Sequence, residues 1–246
     1  MAVQFSHSRV STFNQCPYKY KLHYVDDVKV ERKITPTDAL ILGTAMHEGI
    51  EKGPEAASQY YLSQFQMHTE EHLIEEFKLK YWAKQAHSVL PLQHAIFEKK
   101  LDHKDFVGYM DMLVPLEKKN RYHLFDFKYS NNQQSYMTSG QLHEYKAFFE
   151  STHPGMTIDK MFFVFIPKIV LEKNVTESLE EYFKRLEKEL SQHTIEVKEV
   201  IFDYQKVVDF TLSIKRILET STFHKVPSKL CGWCDYFNQC SEEERF

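Results

Sequence analysis

The spacing of apolar and aromatic positions changes several times along the chain, and each change marks a predicted element. Over residues 11–25, Phe13, Tyr20 and Tyr24 recur at roughly helical spacing behind Ser11, a residue suited to capping, so a short helix carrying Cys16 is expected. Pro36 makes residues 34–38 a connector, after which Asp38 can cap a helix over 39–52 that carries His47. Residues 55–90 are rich in Glu, Lys, Gln, Leu and Tyr and contain neither Pro nor Gly, which predicts one or two further helices. The period then shortens. Runs at 94–101, 105–114 and 121–129 read as three strands of a meander, followed by a helix over 135–150 and a buried strand over 161–166. Helices over 177–192 and 204–219, with a strand over 197–202 between them, complete the series. This order predicts an α/β domain of mixed α+β type, a central mixed sheet flanked by helices.

A chain of 246 residues, 42% hydrophobic and 14% aromatic, can fill a substantial core. A net charge of -4 excludes a broadly basic, histone-like surface, so nucleic-acid binding would have to rest on a local cleft and bound metal. No apolar run is long enough to span a membrane, and the first residues lack the basic and apolar blocks of a signal peptide, so a cytoplasmic protein is expected. No G-x4-G-K-[ST] phosphate loop is present, so no helicase motor is expected in this chain.

The candidate chemistry is concentrated in two neighbouring predicted strands. In Phe125-Asp126-Phe127-Lys128-Tyr129, alternation sends Asp126 and Lys128 to one face and the three aromatics to the other. Asp111 lies in an otherwise apolar run, where a charge is costly unless it is paired or binds a cation. If the two strands are antiparallel neighbours, Asp111 and Asp126 converge on a site of hard oxygen ligands that suits Mg2+ or Mn2+. Such an ion polarises a phosphate and acidifies water, and a nearby lysine can orient that water and neutralise developing charge. Glu98, one strand earlier, offers a further carboxylate. D-x-K alone is common and also describes a surface ion pair. His47 follows Gly43 by one helical turn, so the helix can approach the sheet closely and aim an imidazole at the site, although a lone His is more often an ordinary helix-face residue. Gln141 and Tyr145 share a helix face and could contact a phosphate or a base, or simply each other.

Cys16 stands near one end of the chain, and Cys231, Cys234 and Cys240 form a C-x2-C-x5-C cluster near the other. In a reducing compartment a shared metal is favoured over disulfides, and spacing alone does not separate an iron-sulfur cluster from a structural zinc.

The ordered series G-x3-H, G-x2-D, D-x-K, Q-x3-Y resembles the RecB-like branch of the PD-(D/E)XK nuclease superfamily. The resemblance implies that His47, Asp111, Asp126 and the main-chain carbonyl of Phe127 bind metal. It gives Lys128 a catalytic role, with Glu98 as a looser match, and turns Gln141 and Tyr145 toward DNA. The cysteine segments look like the split staple of AddB-type and CRISPR-associated RecB-like exonucleases. That similarity favours a [4Fe-4S] cluster on Cys16, Cys231, Cys234 and Cys240 over zinc. The implied organisation is a single domain over 1–246, with staple segments 1–32 and 221–246, a helical region 33–92 and a catalytic core 93–205. The implied activity is a Mg2+- or Mn2+-dependent exonuclease acting on single-stranded DNA or DNA ends in recombination, repair or replication, with a helicase or recombination protein as a possible partner. A non-catalytic DNA-binding or partner-docking module, or a structure-specific endonuclease, is the alternative.

Overall fold

A computed structural model describes residues 3–31 and 34–242. The outermost parts of the expected staple segments, residues 1–2, 32 and 243–246, and residue 33 of the helical region lie outside the described residues.

Five strands form one sheet in sequence order: β1 (Ile96–Asp102), β2 (Val107–Pro115), β3 (Arg121–Tyr129), β4 (Thr157–Ile166) and β5 (Glu196–Val200). The first three pair antiparallel as the expected meander, β3 and β4 run parallel, and β5 is antiparallel to β4. The parallel pair requires a crossover, supplied by α6 (Gln133–Met137) and α7 (Gln141–Thr152). One helix was expected there; it breaks at residues 138–140, and Gly140 precedes the first turn of α7.

Helices cover both faces. On one side α7, α1 (His7–Gln15) and α9 (Tyr204–Glu219) enclose a core that includes Phe106, Leu124, Phe149 and Phe163. On the other, α3 (Ala39–Lys52), α4 (Pro54–Ser63), α5 (Glu70–Val89) and α8 (Leu179–Leu190) enclose Met46, Trp82, Phe125, Phe127 and Tyr182. Asp38 caps α3 as expected, accepting from the Leu40 and Ile41 amides. Gly49 is where α3 meets its neighbours, since a Cβ there would stand 2.8 Å from the Cβ atoms of Ala57 and Ala83.

The predicted helix over 11–25 is corrected in two ways. Ser6, not Ser11, caps it, and it stops at Gln15 because Cys16 is extended (φ -157°, ψ 104°), the conformation that a following proline favours. Pro17 then opens a second short helix, α2 (Pro17–Tyr20), which runs on into a π-helical turn over Lys21–Val25. Cys16 therefore sits at a corner between two helices.

Candidate active site

The site lies where β2 parts from β3. Their ladder runs from Pro115↔Tyr122 to Met112↔Phe125, beyond which β2 pairs with β1 alone. The parting leaves the main-chain groups of Phe127 without a β2 partner, and side chains take them. The Phe127 amide donates to Asp111 Oδ2 at 2.7 Å, and His47 Nε2 lies 3.3 Å from the Phe127 carbonyl oxygen. His47 reaches this point from α3, on the sheet face lined by Phe125 and Phe127.

Strand alternation slips at the same place. Gly108 and Met110 face the α7 side and Met112 faces the α3 side, yet Leu113 is again on the α7 side. On β1, Leu101 packs on the α7 side and Phe97 on the α3 side, although even spacing would put them together. Between them Glu98 has φ +48°, a left-handed conformation that costs a non-glycine residue on the order of 1 kcal/mol or more. Phe97 is opposite Met112 and Lys99 opposite Met110, which sets Glu98 beside Asp111. No sequence signal marks such a backbone at a glutamate.

His47, Glu98 and Asp111 each bring a ligand atom within 4.8 Å of the others, and no other such trio of His, Cys, Asp or Glu occurs among the described residues. His47 Nδ1 is 3.7 Å from Glu98 Oε1, and Nε2 is 3.7 Å from Asp111 Oδ2. An octahedral ion with ligands at about 2.1 Å sets neighbouring donors about 3 Å apart and opposite ones about 4.2 Å apart. An imidazole takes an ion through one nitrogen: Nε2 is the one that faces Asp111 and the Phe127 carbonyl, while Glu98 stands on the Nδ1 side. Asp126 is held differently: it is wholly buried, Lys128 Nζ stands 2.5 Å from Oδ2 as its charge-assisted partner, and Oδ1 has no hydrogen-bond donor among the described residues. A buried carboxylate with one oxygen unpartnered, close enough to act on the charges of His47 and Asp111, adds to a donor set that suits a divalent cation.

The charges are strongly coupled. Burial works against a charge on His47, but Asp111, the contact with Glu98 and Asp126 outweigh it and lift its pKa to about 9. Burial and the neighbouring Asp126 push the Asp111 carboxyl above its ordinary range, with His47, Lys128 and the Phe127 amide opposing. Burial likewise disfavours the Lys128 ammonium, yet Asp126 and Asp111 hold its pKa above the usual value, so Lys128 is a cation and donor here.

Gln141 and Tyr145 turn inward. Lys128 Nζ donates to Gln141 Oε1 at 3.0 Å, and Gln141 Nε2 donates to the Tyr145 hydroxyl at 3.1 Å. Tyr145 is buried, while Gln141 keeps some exposure. The two glycines of the motifs have opposite roles. A Cβ on Gly108 would lie 2.8 Å from the Tyr145 ring, so that glycine makes room for the tyrosine. Gly43, expected to let α3 approach the sheet, would meet nothing within 4 Å; it lines the cleft and keeps it open.

The cleft measures about 910 Å³, and its walls include residues that sequence reasoning missed: Leu40, Thr44, Asn131, Tyr136 and Lys168. Asn131 and Lys168 follow the C-terminal ends of the parallel strands β3 and β4, the edge where open α/β sheets place ligands, and that position was the available signal.

The four cysteines line a second cavity, of about 360 Å³, at the other marked place in the fold. No three of their sulfurs lie within 4.8 Å of one another. The chain ends meet there: the Tyr18 amide donates to the His224 carbonyl at 3.1 Å, and Tyr18, Leu22 and Tyr236 pack together. No helix among the described residues is long and apolar enough to cross a membrane.

No curated protein matches the chain. The family description of the PD-(D/E)XK nuclease superfamily matches residues 4–241, which is nearly the whole sequence. The five-stranded mixed sheet with helices on both faces, and a His, Glu and Asp group where two of its strands part, agree with that match. The chain belongs to the PD-(D/E)XK nuclease superfamily, a group of divalent-metal-dependent nucleases.

Proposed function

We propose that this protein is a Mg2+- or Mn2+-dependent deoxyribonuclease, an exonuclease on single-stranded DNA or DNA ends in recombination, repair or replication. The carrying observation is the His47, Glu98 and Asp111 group gathered at the Phe127 main chain, with the buried Asp126 carboxylate on the same strand, its Oδ1 without a hydrogen-bond donor among the described residues. The exonuclease reading and a helicase or recombination partner draw their support from the resemblance of the motif series, and a cytoplasmic location from the sequence.

His47, Asp111, Asp126 and the Phe127 carbonyl would hold the ion, with Glu98 beside them; the imidazole nitrogen suits Mn2+ better than Mg2+. A divalent ion bound there supplies Lewis-acid polarisation of the phosphoryl group and acidifies water. Lys128, kept charged, donates to the developing negative charge and orients the attacking water. Gln141 and Tyr145 fix the ammonium in place, and Gln141 is the more exposed of the two toward DNA. Phe127 keeps its amide on Asp111, so one Asp111 oxygen is oriented by the backbone.

We further propose that Cys16, Cys231, Cys234 and Cys240 carry a [4Fe-4S] cluster. A single zinc at about 2.3 Å from each sulfur needs the sulfurs about 3.8 Å apart. A cubane places its own iron and sulfide atoms between the thiolates and so takes them further apart than zinc does, and the resemblance of the cysteine segments favours it. Amides of Lys19 and Ser228 donate toward Cys16 Sγ (3.5 Å) and Cys231 Sγ (3.3 Å), as suits thiolates bound to iron. Protein prepared without oxygen should be brown; a colourless preparation with stoichiometric zinc would refute the cluster.

The activity is tested on end-labelled single-stranded and duplex DNA with Mn2+. Asp126→Ala should lower cleavage at least about a thousandfold with the circular-dichroism spectrum unchanged. Equal metal-dependent cutting by wild type and variant would sink the assignment, and products released only as internal fragments would replace exonuclease by endonuclease.

A further inference from the structure

We propose that Lys168 forms a phosphate subsite of this cleft, holding a DNA phosphate that flanks the one being cut. The inference rests on the nuclease reading above and adds to it a residue outside the motif series.

The cleft is rich in carboxylates, since Glu48, Glu51, Glu98 and Asp111 all line it. Its cations are mostly committed. Lys128 is engaged by Asp126 and Gln141, and Lys52, next to the cleft, pairs with Glu48 at 2.6 Å. Lys168 also lines the cleft, and no carboxylate of a described residue stands within 4.0 Å of its ammonium, which instead lies 5.6 Å from the centre of the Tyr129 ring. A polyanion entering this cleft needs a cation that is not already neutralised, and Lys168 supplies it.

The main chain that carries Lys168 is fixed. The β3–β4 ladder closes with the Ser130 amide donating to the Ile166 carbonyl at 3.1 Å, after which Pro167 has no amide to offer. The Asn131 side chain then substitutes for a strand: its Nδ2 donates to the Lys168 carbonyl and its Oδ1 accepts from the Lys168 amide, both at 2.8 Å. A short loop that would otherwise be free is thereby tied to the end of the strand bearing Asp126 and Lys128. Lys128 is opposite Phe165 in the parallel register, so Lys168 starts three residues further on, about 10 Å along the strand direction. That offset assigns it to a neighbouring phosphate and leaves the scissile one to Lys128. Across the cleft, Leu40, the bare Gly43 and Thr44 leave space for the sugar and base of the same strand.

The test measures binding of a single-stranded oligonucleotide with Ca2+ in place of Mn2+, over a range of salt, together with steady-state cleavage in Mn2+. Lys168→Ala should weaken binding about tenfold and reduce the slope of log affinity against log salt by about 0.7, with the kinetic loss falling on KM rather than kcat. Lys168→Arg should recover most of the affinity. Asn131→Ala should weaken binding while keeping the full salt slope, because the charge remains and only its anchoring is lost. A scan of single methylphosphonate linkages should find one position beside the cleavage site that weakens wild type but adds nothing to Lys168→Ala. Unchanged affinity and slope in Lys168→Ala, or methylphosphonate losses that are the same in both proteins at every position, would overturn the subsite. A wild-type protein that binds DNA with this pattern but does not cut it would remove the nuclease reading and leave the subsite standing.

Discussion

The chain gathers side chains of types that can ligate metal in two places, and the two are built on different principles. In the cleft, His47, Glu98 and Asp111 come from a long helix and two strands, and their ligand atoms already lie within 4.8 Å. Strand register sets them there, the Phe127 main chain grips two of them, and the cost shows as a left-handed Glu98 and a buried Asp126 whose Oδ1 has no hydrogen-bond donor among the described residues. At the cysteine cavity Cys16 comes from a corner between short helices, Cys231 and Cys234 from a 3-10 turn over Lys229–Trp233 and its end, and Cys240 from a short helix over Phe237–Glu242. There the sulfurs stand apart around open space, and small apolar contacts hold the walls. A site on a sheet can carry repulsion before its ion arrives because the sheet's stability lies elsewhere. A site made from two distant segments, joined by one small apolar cluster and a few hydrogen bonds, would depend more on the proposed cluster to hold it closed.

The largest effect should separate the two. Cys234→Ser would remove a ligand from the proposed cluster, and closing a loop of nearly the whole chain is worth on the order of 5 kcal/mol in chain entropy. For a domain of this size, the midpoint of thermal unfolding should fall by on the order of 10 °C. Mn2+ binding at the cleft, followed by calorimetry below that midpoint, should change by less than about twofold. An unaltered melting midpoint would mean that the four thiols share no common group. A cleft that loses its ion together with the cysteine would mean that the two sites are one structural unit.

The difference between the regions also decides what could be read from the sequence. The face carrying Asp126 and Lys128 follows from strict alternation over β3, and the cap at Asp38 and the helix over Tyr204–Glu219 follow from local chemistry. The break at Cys16 was hidden because Phe13, Tyr20 and Tyr24 keep helical spacing across it, although Pro17 is itself a stop signal. Gly43 was misread because a glycine in a helix reports missing bulk without saying whether protein or empty space faces it; Gly49, in the same helix, is the one in close contact. The parting of β2 from β3 and the slip at Glu98 depend on three strands together, and no local pattern encodes them. Lys168 joins the site only through the parallel β3–β4 register.

A smaller effect uses the charge coupling that only the cleft has. His47 has a pKa of about 9 in the ion-free protein, yet it must be neutral to bind a metal. Metal and proton therefore compete, and Mn2+ affinity should rise by up to about tenfold per pH unit between pH 7 and 9, levelling above that. Stability of the ion-free protein should move the other way. A folded pKa above the unfolded value of 6.5 contributes stability that is complete below 6.5 and is lost as pH rises through about 9, and the raised Asp111 acts in the same sense. Calorimetric titration in buffers of different ionisation enthalpy would count the released protons. Affinity that is flat from pH 7 to 9, with no proton released, would show that His47 does not meet the ion.

The smallest effect lies within the cleft and sets its two motif glycines against each other. Gly108→Ala drives a methyl into the buried Tyr145 ring at 2.8 Å, and overpacking of that kind costs about 1–3 kcal/mol. Because Tyr145 holds Gln141 and Gln141 holds Lys128, the variant should also lose kcat while its Mn2+ affinity stays near that of wild type. Gly43→Ala meets no atom within 4 Å and replaces a poor helix former by the best one, so it should stabilise the fold by up to about 1 kcal/mol. Its methyl projects into the cleft, and KM for DNA should rise by a few fold while the melting point rises with it. Stability and activity then move in opposite directions at Gly43 and in the same direction at Gly108. A Gly43→Ala protein that is both more stable and equally tight for DNA would show that the substrate does not pass that wall of the cleft, and would place its path on the Lys168 side alone.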